Sequence, residues 1–199
     1  MSALPKQFYT PEEYLRLERA AGYKSEYFAG EIVAMAGAKR KHNLIGSNIT
    51  TSLNTQLREK PCEVYASDMK VQADKARQFS YPDVVVVCGE PQFRDNQDDV
   101  LQNPTVIVEV LSPSTEAYDR GEKFLCYRRL DSLQEYVLVT QNERRVEQFT
   151  KQSDGSWRMT ETTAGNFELE SVGCTLSLDD IYNKVTSEPQ VRLVIDGPR

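Results

Sequence analysis

The sequence predicts an α/β fold of the mixed α+β kind, with a central mixed β-sheet flanked by helices. Three observations predict it. Two apolar runs, Tyr81 to Cys88 and Pro104 to Leu111, have the length and valine content of buried strands. The segments follow the order helix, hairpin, helix, strands, helix, strands, which is neither doubly wound nor all-β. No G-x-G-x-x-G, Walker A or G-x-S-x-G motif occurs, so nucleotide-binding and serine-hydrolase readings lack their defining loops.

Each element has its own local signal. Thr10-Pro11-Glu12-Glu13 is a capping box with proline at the first helical position, which predicts a helix from about Pro11 to Ala21 ended by Gly22. Ser25 to Phe28 and Glu31 to Met35 flank Ala29-Gly30 as a short strand pair. A second helix is expected over His42 to Arg58, where Ile45, Ile49, Leu53 and Leu57 recur along one face. From Glu63 to Gln72 the alternation changes phase, predicting one strand with a bend or bulge. The two buried runs follow, separated by the polar stretch 89–103, expected as a surface loop. Ser112-Pro113-Ser114 stops the second run, and Asp119 is expected to cap a third helix that continues to about Leu130. Glu135 to Thr140, Arg145 to Thr150 and Trp157 to Glu161 read as strands joined by turns at Asn142-Glu143 and Asp154-Gly155. A short helix from Leu178 to about Lys184 completes a single domain over residues 1–185, and residues 186–199 form an unassigned tail.

Bulk properties exclude several classes. A chain of 199 residues buries roughly 70% of its unfolded surface as one domain. With 39% hydrophobic and 27% charged residues it is too apolar for disorder, and no apolar run is long enough for a transmembrane helix. The N-terminus carries no signal-peptide pattern, so the expected compartment is the cytoplasm, with no membrane partner. Cys62, Cys88, Cys126 and Cys174 are widely spaced with one histidine in the chain, which argues against zinc; all four are expected to be reduced structural cysteines. A net charge of −6 disfavours a general nucleic-acid binder, although clustered acids at a metal site would account for part of it.

The chemistry concentrates on acids placed in apolar runs. Glu109 shares one strand face with Ile107 and Leu111, where a carboxylate is costly without a positive partner. If the two runs pair antiparallel with Cys88 opposite Pro104, Asp83 falls opposite Glu109. Two carboxylates so placed repel, and a divalent cation relieves the repulsion; oxygen donors suit magnesium or manganese. Such an ion supports hydrolysis at a phosphoryl group, chemistry that commonly adds a lysine. Lys123 is the candidate, and its spacing also fits a simple i,i+4 ion pair with Asp119. Glu26 offers a third acid, or an ordinary exposed strand glutamate. Lys39, Arg40 and Lys41 precede His42 at the start of a helix, a seat for phosphate or a solvated loop with a histidine cap.

These residues resemble a known family. The series Glu26-Tyr27-Phe28-Ala29-Gly30-Glu31, His42, Pro82-Asp83-Val84-Val85-Val86, Glu109-Val110-Leu111-Ser112-Pro113-Ser114 and Asp119 with Lys123 and Tyr127 is similar to the Uma2 restriction endonuclease family, over about residues 8 to 185. That family is placed in the PD-(D/E)xK nuclease superfamily. The resemblance implies a restriction-endonuclease-like core, with Asp83 and Glu109 as the motif acids and Glu26 completing the metal site. The chain departs from the superfamily pattern at Leu111, where a lysine is expected, and the resemblance implies that Lys123 supplies the ammonium from a migrated position.

The leading expectation is a magnesium-dependent endodeoxyribonuclease, with manganese as a substitute and DNA as partner. Asp83, Glu109 and Lys123 would be catalytic, Glu26, Asp83 and Glu109 would bind the metal, and Lys39, Lys41 and His42 would hold the DNA backbone. A homodimer is expected by analogy. The competing expectations are a catalytically inactive accessory or nucleic-acid-binding subunit, and a hydrolase of small phosphoesters.

Overall fold

The computed structural model describes residues 7–186. In α1 (Pro11–Ala20) the capping box forms as expected: Thr10 Oγ1 accepts from the Glu13 amide at 3.2 Å while Glu13 Oε2 accepts from the Thr10 amide at 2.8 Å. β1 (Ser25–Phe28) and β2 (Glu31–Ala34) pair across Ala29 and Gly30, whose φ values of 48° and 98° give the two left-handed residues that so tight a hairpin needs. α2 (Arg40–Leu57) begins two residues before His42, and it buries the four predicted residues Ile45, Ile49, Leu53 and Leu57.

The stretch expected as one bent strand is instead two strands in different sheets, β3 (Cys62–Ala66) and β4 (Lys70–Ala73). The phase change marks the turn at Ser67 and Asp68, where the chain leaves one sheet for the other. β5 (Gln78–Ser80) and β6 (Val84–Cys88) come next. The expected surface loop 89–103 contains β7 (Val100–Leu101), whose two buried residues pair parallel with β4; the acids around them masked so short an apolar signal. β8 (Val106–Leu111) is the second buried run.

The third helix departs from expectation at its start. It consists of α3 (Glu116–Tyr118), a π-helical turn Asp119–Lys123 and α4 (Phe124–Tyr127), so Asp119 lies inside the helical segment and does not cap it. β9 (Glu135–Thr140), β10 (Val146–Lys151) and β11 (Trp157–Thr162) form as predicted. An unforeseen hairpin, β12 (Asn166–Leu169) with β13 (Cys174–Ser177), precedes α5 (Leu178–Ile181). Apart from Thr186, the tail 186–199 lies outside the described residues.

The expected mixed sheet is present twice. One sheet has the order β11-β10-β9-β8-β6-β3, parallel only between β8 and β9; the other has the order β2-β1-β5-β4-β7, parallel only between β4 and β7. Alternation divides the six-stranded sheet between two cores. Val84, Val86, Val106, Val108 and Val110 pack with α2, α5 and the β12–β13 hairpin, whereas Val85, Val87, Ile107 and Leu111 pack with Phe124, Tyr127, Tyr136 and residues of the five-stranded sheet. α1 covers the second sheet through Tyr14 and Leu15. The acids considered below lie where β1, the ends of β6 and β8, and the π-helical turn meet.

One cysteine expectation is overturned. Cys62 and Cys88 face each other in the β3–β6 register and are joined by a disulfide, while Cys126 and Cys174 are free and buried. Pairing across a sheet brings together residues 26 apart in sequence, which spacing alone does not reveal. Among the described residues, no helix is long and apolar enough to cross a membrane.

Candidate active site

β6 and β8 pair antiparallel with Val84 opposite Val108, Val85 opposite Ile107 and Val86 opposite Val106. This is the register predicted from sequence, and continuing it by one residue sets Asp83 opposite Glu109. Glu109 follows the alternation of Ile107 and Leu111 into the core and is 3% exposed. Asp83 stays near the sheet end, where its Oδ2 accepts from the Val110 amide at 2.6 Å and lies 3.2 Å from His42 Nε2. His42, expected beside the cations of the preceding loop as a phosphate contact, is therefore seated against one of the acids.

Lys123 reaches the centre of the group. Its Nζ lies 2.9 Å from Glu109 Oε1, 3.3 Å from Glu26 Oε1 and 3.4 Å from Asp119 Oδ1. The i,i+4 pair with Asp119 does form, but both residues are buried, at 4% and 3% exposure, where spacing alone suggested a solvated pair. The π-helical turn places both side chains inward, a local departure from α-geometry that recurs at functional sites. The Tyr136 hydroxyl donates to the Asp119 carbonyl at 2.9 Å and anchors this turn to β9. Glu26, on β1, accepts from the Tyr81 amide at 3.1 Å, so it is tied to the segment that carries Asp83. Asp119 is the member of the site that residue-by-residue reasoning missed; its spacing to Lys123 was the available signal, but burial was not.

The electrostatics follow from burial. Desolvation raises the Glu109 carboxyl well above the ordinary carboxylate range, opposed by Lys123 and reinforced by Asp119, Asp83 and Glu26. Burial works against a charged Lys123 as well, but Glu109, Glu26 and Asp119 outweigh it and hold the ammonium well above its usual value. Burial likewise disfavours the charged form of His42, and the Asp83 hydrogen bond and charge reverse that effect and raise it.

The donor chemistry fits a hard divalent cation. All the acids offer oxygen, and Glu109 Oε1 is buried without an aligned hydrogen bond, its 2.9 Å approach to Lys123 being an ion pair only. Among the described residues, no three acids, cysteines or histidines already stand together in a metal-holding group, and Lys123 contacts three of the carboxylates. At the start of α2, Lys39 is exposed at the helix cap and Lys41 is half-buried one residue before His42. They border the acid group through His42.

Comparison with known proteins bears on family and fold. A family model described as "Uma2: Putative restriction endonuclease" matches residues 11–179. An uncharacterized protein of Synechocystis is 39% identical over 161 residues, 81% of this chain and 91% of its own; a second from the same organism is 38% identical over 174 residues, 87% and 90% respectively. The crystal structure of a protein described as a putative nuclease of DUF820, from Anabaena variabilis, has a TM-score of 0.72 at 19% identity, covering 89% of this chain and 99% of that one. At that identity the likeness is one of fold.

Proposed function

This chain belongs to the Uma2 restriction endonuclease family, and from that premise we propose that it is a magnesium-dependent endodeoxyribonuclease that hydrolyses phosphodiester bonds in DNA. One observation carries the reading: the β6–β8 register, continued one residue beyond the Val84–Val108 pair, brings Asp83 across from Glu109, and the Lys123 ammonium lies 2.9 Å from Glu109. Magnesium, or manganese in its place, held by Glu26, Asp83 and Glu109, would offset their mutual repulsion and stabilise charge on a phosphoryl oxygen. Lys123 donates from Nζ to orient the attacking water and to stabilise the pentacoordinate phosphate. Asp119 holds that ammonium in place, and His42 holds Asp83. Incubation of supercoiled plasmid with the full chain and Mg²⁺ is expected to yield nicked or linear product, and Asp83→Asn is expected to abolish it. Intact plasmid with both proteins, at every divalent ion tried, would sink the nuclease reading.

Lys39 and Lys41 are the residues proposed to grip the DNA backbone, next to His42. Each phosphate contact steepens the salt dependence of binding by about 0.9 in log K against log salt. The double variant Lys39→Ala, Lys41→Ala is therefore expected to flatten that slope by roughly 2. An unchanged slope places the DNA elsewhere. Cutting both strands in one binding event is served by two such centres, which a homodimer supplies; sedimentation at assay concentration checks this.

A second reading draws on a specific observation. Lys123 touches three carboxylates at once and so occupies the position a cation would take. That arrangement suits a non-catalytic member of the fold, an accessory subunit in which an internal ion pair replaced the metal. Calorimetry with Mn²⁺ separates the two: heat that depends on Glu109 supports the nuclease, and none supports the accessory subunit.

A further inference from the structure

Glu18 is a buried carboxylate on α1 that takes no part in the site described above. It is 8% exposed, and among the described residues the hydrogen bonds its side chain accepts come from Ser25 and Tyr81. Its Oε1 accepts from the Ser25 amide at 2.9 Å and from the Tyr81 hydroxyl at 2.8 Å; its Oε2 accepts from the Ser25 amide at 3.1 Å and from the Ser25 hydroxyl. Ser25 immediately precedes Glu26, and Tyr81 lies two residues before Asp83. The Tyr81 amide in turn donates to Glu26 Oε1 at 3.1 Å. A single carboxylate thus ties together the two chain segments that deliver two of the site acids, although those segments lie 55 residues apart.

The local chemistry supports a fixed position for this group. A buried carboxylate is tolerated when its lone pairs are filled and a cation stands near it. Three donors fill the oxygens. The Lys70 ammonium, 2% exposed, lies over the rings of Tyr81 at 5.3 Å and Tyr14 at 5.8 Å, the two tyrosines that flank Glu18. Charge-assisted bonds of this kind are strong and directional, so the clamp sets spacing as well as cohesion.

We propose that Glu18 is a positioning residue of the acid site, clamping the Glu26 segment to the Asp83 segment so that both carboxylates are held ready for one cation. This rests on the metal-centre reading above, and groups behind metal ligands typically change affinity by 10–100-fold when replaced. Two measurements on the full chain test it. In metal-free protein, Glu18→Gln is expected to speed amide hydrogen exchange at Tyr81 by at least about tenfold, while the amides of Val137 to Val139 in the sheet centre keep wild-type protection. Mn²⁺ binding followed by calorimetry is expected to weaken by about 10–100-fold. Tyr14→Phe serves as control, because it removes only the hydroxyl bond from α1 to the Ser25 carbonyl. Tyr81→Phe, which removes one arm of the clamp and keeps the ring, replaces Glu18→Gln should that variant not fold.

Wild-type exchange at Tyr81 in the clamp variants overturns the proposal, as does an equal effect from Tyr14→Phe. Faster Tyr81 exchange with unchanged Mn²⁺ affinity also overturns it, because the clamp would then be structural only. Absence of Mn²⁺ binding by the wild-type protein would sink the metal-centre reading itself, and the exchange arm would then decide alone whether Glu18 holds the two segments together.

Discussion

Lys123→Met is expected to destabilise the metal-free protein by about 3–5 kcal/mol, the usual consequence of removing one partner from a buried ionic group. The lysine is 4% exposed and its ammonium stands within 3.4 Å of oxygens from Glu109, Glu26 and Asp119. Methionine roughly preserves the volume of the side chain and removes the charge and its N–H donors, which leaves the carboxylates without their cation. Urea unfolding monitored by circular dichroism measures the loss, and a change below about 1 kcal/mol, the range of exposed ion pairs, would show that the ammonium carries little of the site.

The pH dependence has a defined sign. Burial first, and then the neighbouring acids, make the native state hold the Glu109 proton more tightly than the unfolded chain does. Native protein therefore binds the extra proton between the ordinary carboxylate value and the raised one, and stability falls as pH climbs through that window. Removing Lys123 deletes the one influence that lowers the Glu109 carboxyl, so the deficit of the variant should widen with rising pH and shrink in acid. Magnesium at 100 times its dissociation constant should return about 2.7 kcal/mol by mass action if the carboxylates bind it.

Glu109→Gln should do the reverse at the same contact. Cleavage is expected to be abolished and Mn²⁺ binding lost, because Glu109 is a proposed ligand of the ion. Folding stability, in contrast, should hold or rise. The Glu109 charge is already disfavoured by its surroundings, while Lys123 keeps Glu26 and Asp119 as partners. Function and stability trade against each other at such sites. A Glu109→Gln protein that cleaves at the wild-type rate removes this residue from the chemistry. One that unfolds more easily than Lys123→Met contradicts the charge assignment of the pair.

Local signals were legible where one segment carries its own code. The capping box at Thr10 and the four-residue repeat from Ile45 to Leu57 each correspond to an observed helix, because caps and buried stripes depend on neighbours within a turn or two. The antiparallel register of the two valine-rich runs was less legible. Both faces of each run are buried, so the burial pattern does not choose the offset; the alignment of Cys88 with Pro104 was a condition, and the observed pairing of Val84 with Val108 satisfies it. Val100 and Leu101 carry too short a signal to stand out from the acids around them, and the strand they form exists only because β4 is there to pair with.

By itself the sequence determined a mixed α+β chain with two valine-rich buried runs and an acid in or beside each, since patterning and turn chemistry act over short distances along the chain. The tertiary structure alone decided that Lys123 and Asp119 are buried, that His42 rests on Asp83, that Cys62 joins Cys88 and that Glu18 bridges Ser25 to Tyr81. Each of these depends on which surfaces meet when two sheets and a π-helical turn pack together. Desolvation and long-range pairing arise only at that stage, and they convert ordinary charged residues into a site.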